Sequence, residues 1–159
     1  MPLLQLAEVL LRGPHTLSGA EREMLAARVS HLNGCYFCEA SHRAAAAHQL
    51  GENYAAVDAV IADPAQAPIT AKFRALLAIA GEVVKGGLHV TTTHVQSARE
   101  AGATDVEIHD TVLIAAVFCM FNRYVDGLAT ETPAGHDAYE QMGQRMAHIG
   151  YASRLPTNA

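Results

Sequence analysis

An all-α fold is what this chain predicts, and three observations carry the prediction. Apolar residues recur at steps of three and four along most of the 159 residues, the spacing of a helix face. Ser/Thr-x-x-Glu patterns stand at two predicted helix starts, where such pairs satisfy free backbone N–H groups. No stretch alternates apolar and polar residues for long enough to make a useful strand.

The elements follow in order. Leu3–Leu11 reads as a short amphipathic helix. Ser18-Gly19-Ala20-Glu21 is a capping box that opens a helix with Leu25, Val29 and Leu32 on one face, stopped by Asn33-Gly34. A helix from about Cys35 to Leu50 follows at once; its alanine-rich stretch from Arg43 to Leu50 holds neither Gly nor Pro, and Gly51 ends it. Asn53–Ala62 makes a further short helix closed by Asp63-Pro64. Thr70 caps a helix whose Phe73, Leu76, Leu77, Ile79, Ala80, Val83 and Val84 keep helical spacing until Gly86-Gly87 breaks it. Thr93 is the expected cap of a helix running to Ala101, with Gly102 as its stop. Thr104-Asp105-Val106-Glu107 repeats the capping box and opens the longest helix, Asp105 to Leu128. The near-continuous apolar run Val112–Phe121 predicts that this helix is central and buried. Pro133–Ile149 gives a last amphipathic helix before a short tail.

Half of the residues are hydrophobic and 17% are charged, which describes a globular chain. With no Pro/Ser-rich linker, residues 1–159 are expected to form one domain. A net charge of −5 without a Lys/Arg cluster argues against nucleic-acid binding. No uninterrupted apolar run approaches the roughly 20 residues needed to cross a bilayer, so no membrane partner is expected. The apolar N-terminal run contains Glu8 and lacks a basic start, so it does not read as a signal peptide, and a cytoplasmic location is expected. In such a setting three cysteines do not form a disulfide scaffold, and a C-x-x-C is more often catalytic or metal-binding.

Cys35, Cys38 and His42 carry that chemistry. Steps of three and four put both thiols and the imidazole on one stripe of a helix. The turn at Asn33-Gly34 folds two helices into an antiparallel hairpin. Glu23 and His42 then each lie roughly 12–15 Å from the turn, so a carboxylate can face the histidine. At a helix start the free N–H groups favour an anion, which predicts a lowered thiol pKa and an attacking thiolate. His42 would shuttle the proton and Glu23 orient it. Oxidation would give a sulfenic acid on one cysteine, captured by the other as a disulfide. Structural zinc is the rival reading, but C-x2-C-x3-H supplies three of the four usual ligands and no second pair completes them. Cys119 reads as an inert core thiol. Asn122, Arg123 and Asp126 interrupt an apolar helix, either as its exposed turn or as a buried Arg123–Asp126 pair beside the site.

Together Glu23, Cys35, Cys38 and His42 spell E-x11-C-x2-C-x3-H. This resembles the active-site signature of AhpD-like alkylhydroperoxidases in the carboxymuconolactone decarboxylase superfamily. The Leu17–Glu23 start, Asn33-Gly34-Cys35, Pro68–Lys72 and Phe121–Leu128 are similar to the peroxidase-related branch, so the resemblance runs from about Leu17 to Leu128. It implies an AhpD-like helical bundle, a homo-oligomer of trimers or hexamers, and thiol-dependent reduction of alkyl hydroperoxides with an external thiol or dithiol reductant. By analogy Cys38 would be the peroxidatic cysteine, Cys35 its disulfide partner, and His42 with Glu23 the proton relay. No haem, metal or other cofactor is implied. The chain departs from the family pattern at Phe37, where the family has a histidine. Two alternatives remain: a decarboxylase-type enzyme on the same fold, and a non-enzymatic zinc-binding or redox-sensing helical protein.

Overall fold

The computed structural model describes residues 2–152, and within them every regular element is helical. In chain order these are α1 (Pro2–Arg12), α2 (Gly19–Leu32), α3 (Tyr36–Gln49), α4 (Tyr54–Ala62), α5 (Ala71–Lys85), α6 (Thr92–Glu100), α7 (Asp105–Gly127) and α8 (His136–His148). A short 3-10 turn, Gly87–His89, links α5 to α6. Local chemistry accounts for most starts. Ser18 and Thr104 form the expected capping boxes with Glu21 and Glu107, and Thr70 accepts from the Phe73 N–H. At α6 the cap is Thr91 rather than Thr93, because the His94 side chain reaches back to the Thr91 N–H and completes the box two residues earlier. The last helix begins at His136 and not Pro133: Gly135, at φ 102°, sets its entry.

The α2–α3 hairpin is the centre of the molecule. Gly34 takes φ +73°, and the Cys35 N–H donates to the Ser30 carbonyl at 3.0 Å, so the chain reverses within two residues. α3 lies between α2 and α8, while α7 packs on α2 and α5. Leu25, Val29, Leu76, Ile79, Ile114 and Phe118, each at most 1% exposed, form the heart of the core. The alanines of α3, Ala44 to Ala47, are buried and let the neighbouring helices approach closely.

Two helices are less buried than their apolar content predicts. Leu32, expected on the inner face of α2, is 40% exposed at the hairpin turn. α7 buries Ile108, Ile114, Ala115 and Phe118, but Val106, Met120 and Tyr124 face outward. It packs on α2, α5 and α6, and these outward side chains are left uncovered. Among the described residues α7 is the one helix long and apolar enough to cross a membrane by length and composition.

Candidate active site

Glu23 sits in the second turn of α2 with no exposed surface, an expensive place for a carboxylate unless both oxygens are engaged. Both are. Oε2 lies 2.7 Å from His42 Nδ1 across the hairpin, and Oε1 accepts a 2.5 Å hydrogen bond from the Tyr151 hydroxyl. The carboxylate beside Nδ1 makes that nitrogen the donor to Glu23 and leaves Nε2 as the ring nitrogen not engaged with the carboxylate. The His42 ring is held by Phe118, edge-on at 4.6 Å, and by Tyr151, near-parallel at 6.0 Å.

The thiols occupy the first turn of α3. Cys35 is the N-cap residue, with no side-chain cap hydrogen bond, and Cys38 follows three positions later, one helical turn before His42. Both are buried. Here the structure corrects the expectation of a lowered thiol pKa. Burial pushes Cys35 up to about 12, opposed by the Cys38 N–H and reinforced by the Asp126 carboxylate. Burial also raises Cys38, but the Cys35 thiol and the Asn122 amide favour its thiolate. Withdrawal from water outweighs the helix N-terminus at both positions, and it leaves the two cysteines unequal.

Asn122 was an open question in the sequence, and the fold gives it a defined setting. It is buried; its amide donates to Ser30 Oγ at 3.0 Å and its carbonyl accepts from Asn33 at 2.9 Å. Asn33 also reaches Cys119 Sγ at 3.5 Å, so this thiol is half-buried and hydrogen-bonded rather than lost in the core. Arg123 and Asp126 are both exposed, and Arg123 bonds to the Cys119 carbonyl of its own helix. The expected alternative of a buried Arg123–Asp126 pair is therefore not realised: the α7 face that turns inward at this point carries Asn122.

Cys38 and His42 open onto a cavity of about 210 Å³. Its other walls are apolar, among them Leu3, Phe37, Phe118, Phe121, Met142 and Met146, with Arg145 at one side. Phe37 thus belongs to the wall. Ser41, also lining it, donates to the Phe37 carbonyl at 2.6 Å. Among the described residues no group of three or more His, Cys, Asp and Glu side chains is arranged to hold a metal ion; the His42 nitrogen nearest Glu23 is committed to that carboxylate.

All four residues singled out in the sequence thus lie around the α2–α3 hairpin, with Glu23 and His42 in direct contact. Sequence reasoning missed Tyr151, which it dismissed as tail. The only local sign was Gly150, directly after the last helical residues, where a glycine permits a sharp turn back toward the body of the protein.

Comparison with known proteins gives three findings. The profile of the carboxymuconolactone decarboxylase family matches residues 3–82 and again 50–130. Two solved structures superpose well. One is an uncharacterized peroxidase-related protein from Silicibacter sp. TM1040, at 27% identity and TM-score 0.78, covering 87% of this chain and 71% of that one. The other is an alkylhydroperoxidase AhpD core, an uncharacterized peroxidase-related protein from Ralstonia eutropha JMP134, at 26% identity and TM-score 0.77, covering 90% and 73%. No curated protein matches.

Proposed function

The chain belongs to the carboxymuconolactone decarboxylase family, and from that premise we propose that it is a thiol-dependent hydroperoxide reductase working through Cys38 and Cys35. The observation that carries the reading is the placement of a buried thiol and a carboxylate-anchored imidazole, one helical turn apart, on the wall of one apolar cavity. The peroxidase-related names of the two similar structures support it.

The raised thiol pKa gives the relay its purpose. A cysteine that is not ionised in advance needs a base at the moment of attack, and His42, one helical turn further along α3 and lining the same cavity, is the base assigned to it. His42 takes the Cys38 proton, and buried Glu23 stabilises the resulting imidazolium. The thiolate attacks the terminal oxygen of the hydroperoxide. The S–O bond forms as the O–O bond breaks, and the departing alkoxide takes the proton from His42 to leave as the alcohol. The Cys35 sulfur then attacks the sulfenic sulfur of Cys38, which gives a disulfide and releases water. Two electrons from an external thiol or dithiol return both cysteines to thiols, so each peroxide yields one alcohol and one water. Asp126, which favours the protonated form of Cys35, suits a resolving cysteine that waits as the thiol. The working form is a homo-oligomer, a reading supported by the outward apolar side chains of α7.

A thiol titration before and after substoichiometric hydroperoxide tests the proposal. Each equivalent of peroxide should remove two thiols, with Cys119 spared, and Cys38→Ser should abolish consumption with dithiothreitol as reductant. Turnover retained in that variant refutes the assignment. Thiol-independent turnover of a muconolactone would point to the decarboxylase chemistry instead.

A further inference from the structure

Tyr151 enters the site from residues beyond the family match, which ends at 130. It is held there on purpose-built terms. Gly150, at φ +102°, turns the chain back after α8, and a Cβ on it would come within 2.5 Å of Glu8 Oε2. That same carboxylate oxygen accepts the Tyr151 N–H at 2.6 Å and the Ala152 N–H at 3.3 Å. Arg12 completes the clasp, donating to Glu8 at 3.1 Å and to the Met146 and Ala147 carbonyls at 3.0 and 2.6 Å. α1 therefore fixes the segment after α8 whose phenol reaches the buried carboxylate.

We infer that Tyr151 is a positioning residue for the Glu23–His42 pair, clamped by Glu8 so that its hydroxyl fixes the carboxylate and, through it, the orientation of His42. A tyrosine hydroxyl has one proton, and here it goes to Glu23 Oε1; with Oε2 taken by His42 Nδ1, the carboxylate cannot rotate. The phenol remains a donor, because burial and then the Glu23 charge push its ionisation well above the ordinary tyrosine range. Donating to the carboxylate also takes up part of its negative charge, the charge that would hold a proton on the imidazole. Other charged or titratable groups around the pair are Glu8 and Arg12 from α1, Arg22 of α2, Cys38 of α3 and Arg145 of α8; α7 contributes the neutral Phe118. The inference rests on the reading of Glu23 and His42 as the proton relay of Cys38.

The test is Tyr151→Phe, which keeps the ring against His42 and deletes the donor. Protein carrying 15N-histidine is titrated while the His42 ring nitrogens are followed by NMR, and the pH profile of hydroperoxide consumption is recorded beside it. The His42 titration and the acid limb of the profile should both move up by about one pH unit, a tenfold loss at a fixed pH on that limb. Gly150→Ala, whose Cβ would crowd Glu8 Oε2 and so disturb the clasp without removing a charge near the pair, should shift both in the same direction and covers the case in which the phenylalanine variant repacks the segment after α8. A His42 titration unchanged in both variants overturns the inference. So does a Tyr151→Leu variant that shifts while Tyr151→Phe matches the parent, because the ring alone would then suffice. If Glu23→Gln and His42→Gln consume peroxide at the parental rate while Tyr151→Phe still moves the His42 titration, the relay reading fails and the positioning role stands.

Discussion

Gly143 offers the sharpest check on how α8 is docked. A Cβ added there would stand 2.4 Å from Ala44 Cβ, 2.6 Å from the Ala44 carbonyl carbon and 2.8 Å from the Ala45 nitrogen. Ordinary carbon–carbon contact is about 3.5–4.0 Å, so Gly143→Ala must force α3 and α8 apart by roughly 1 Å or more. The obstacles are largely backbone, which no rotamer change relieves. Overpacking of this kind costs about 1–3 kcal/mol, while alanine in place of glycine inside a helix returns up to about 1 kcal/mol. The expected net is about 1–2 kcal/mol of destabilisation, a fall in Tm of about 2–8 °C for a chain of this size. Because α8 carries Met142 and Met146 to the cavity and leads into Tyr151, the His42–Tyr151 contact should loosen as well. Gly81→Ala is the matched control: its Cβ would meet only Leu32 Cδ1 at 3.9 Å, so the same substitution in α5 should raise Tm by a few degrees. Calorimetry on both variants decides. A Gly143→Ala protein that melts at or above the parent would refute the close α3–α8 approach.

Two further predictions follow from other parts of the fold. Glu107 is buried, which by itself would raise its carboxyl, yet Lys72 at 2.8 Å, the Thr104 N–H and Thr16 together hold it at about 2 against an ordinary 4.5. A folded-state value below the unfolded one means that the stabilisation, on the order of 3 kcal/mol, is complete above about pH 4.5 and is lost as pH falls toward 2. Glu107→Gln should therefore flatten the acid side of the stability curve measured by urea unfolding; an unchanged slope between pH 4.5 and 2 would exclude this carboxylate as its source. On α7, Met120→Glu with Tyr124→Glu places two charges on the outward apolar side chains, 43% and 52% exposed. Light scattering coupled to size exclusion should show the parent as an oligomer and the variant falling toward the 16.9 kDa chain mass; a parental mass equal to one chain, or an unmoved oligomer, goes against self-association through this face.

What could be read from the chain alone was whatever depends on near neighbours. The caps at Ser18, Thr70 and Thr104, the break at Asn33-Gly34 and the single stripe of Cys35, Cys38 and His42 all follow from interactions within a few residues, where helical geometry leaves little choice. Even the Glu23–His42 meeting was permitted by counting residues from the turn; its 2.7 Å contact needed the rotation of both helices. Tertiary structure decided the rest. The thiols are raised and not lowered because neighbouring helices exclude water from them, and a helix N-terminus cannot offset that loss. Asn122 turns inward while Arg123 and Asp126 remain exposed, a matter of which side of α7 meets the α2–α3 hairpin. Tyr151 lies 128 residues from Glu23 in sequence, and only the docking of α8 and the Glu8 clasp brings the two together. Spacing along the chain determined which groups share a helix face; burial and long-range contact, set by how the helices pack, determined what those groups are able to do.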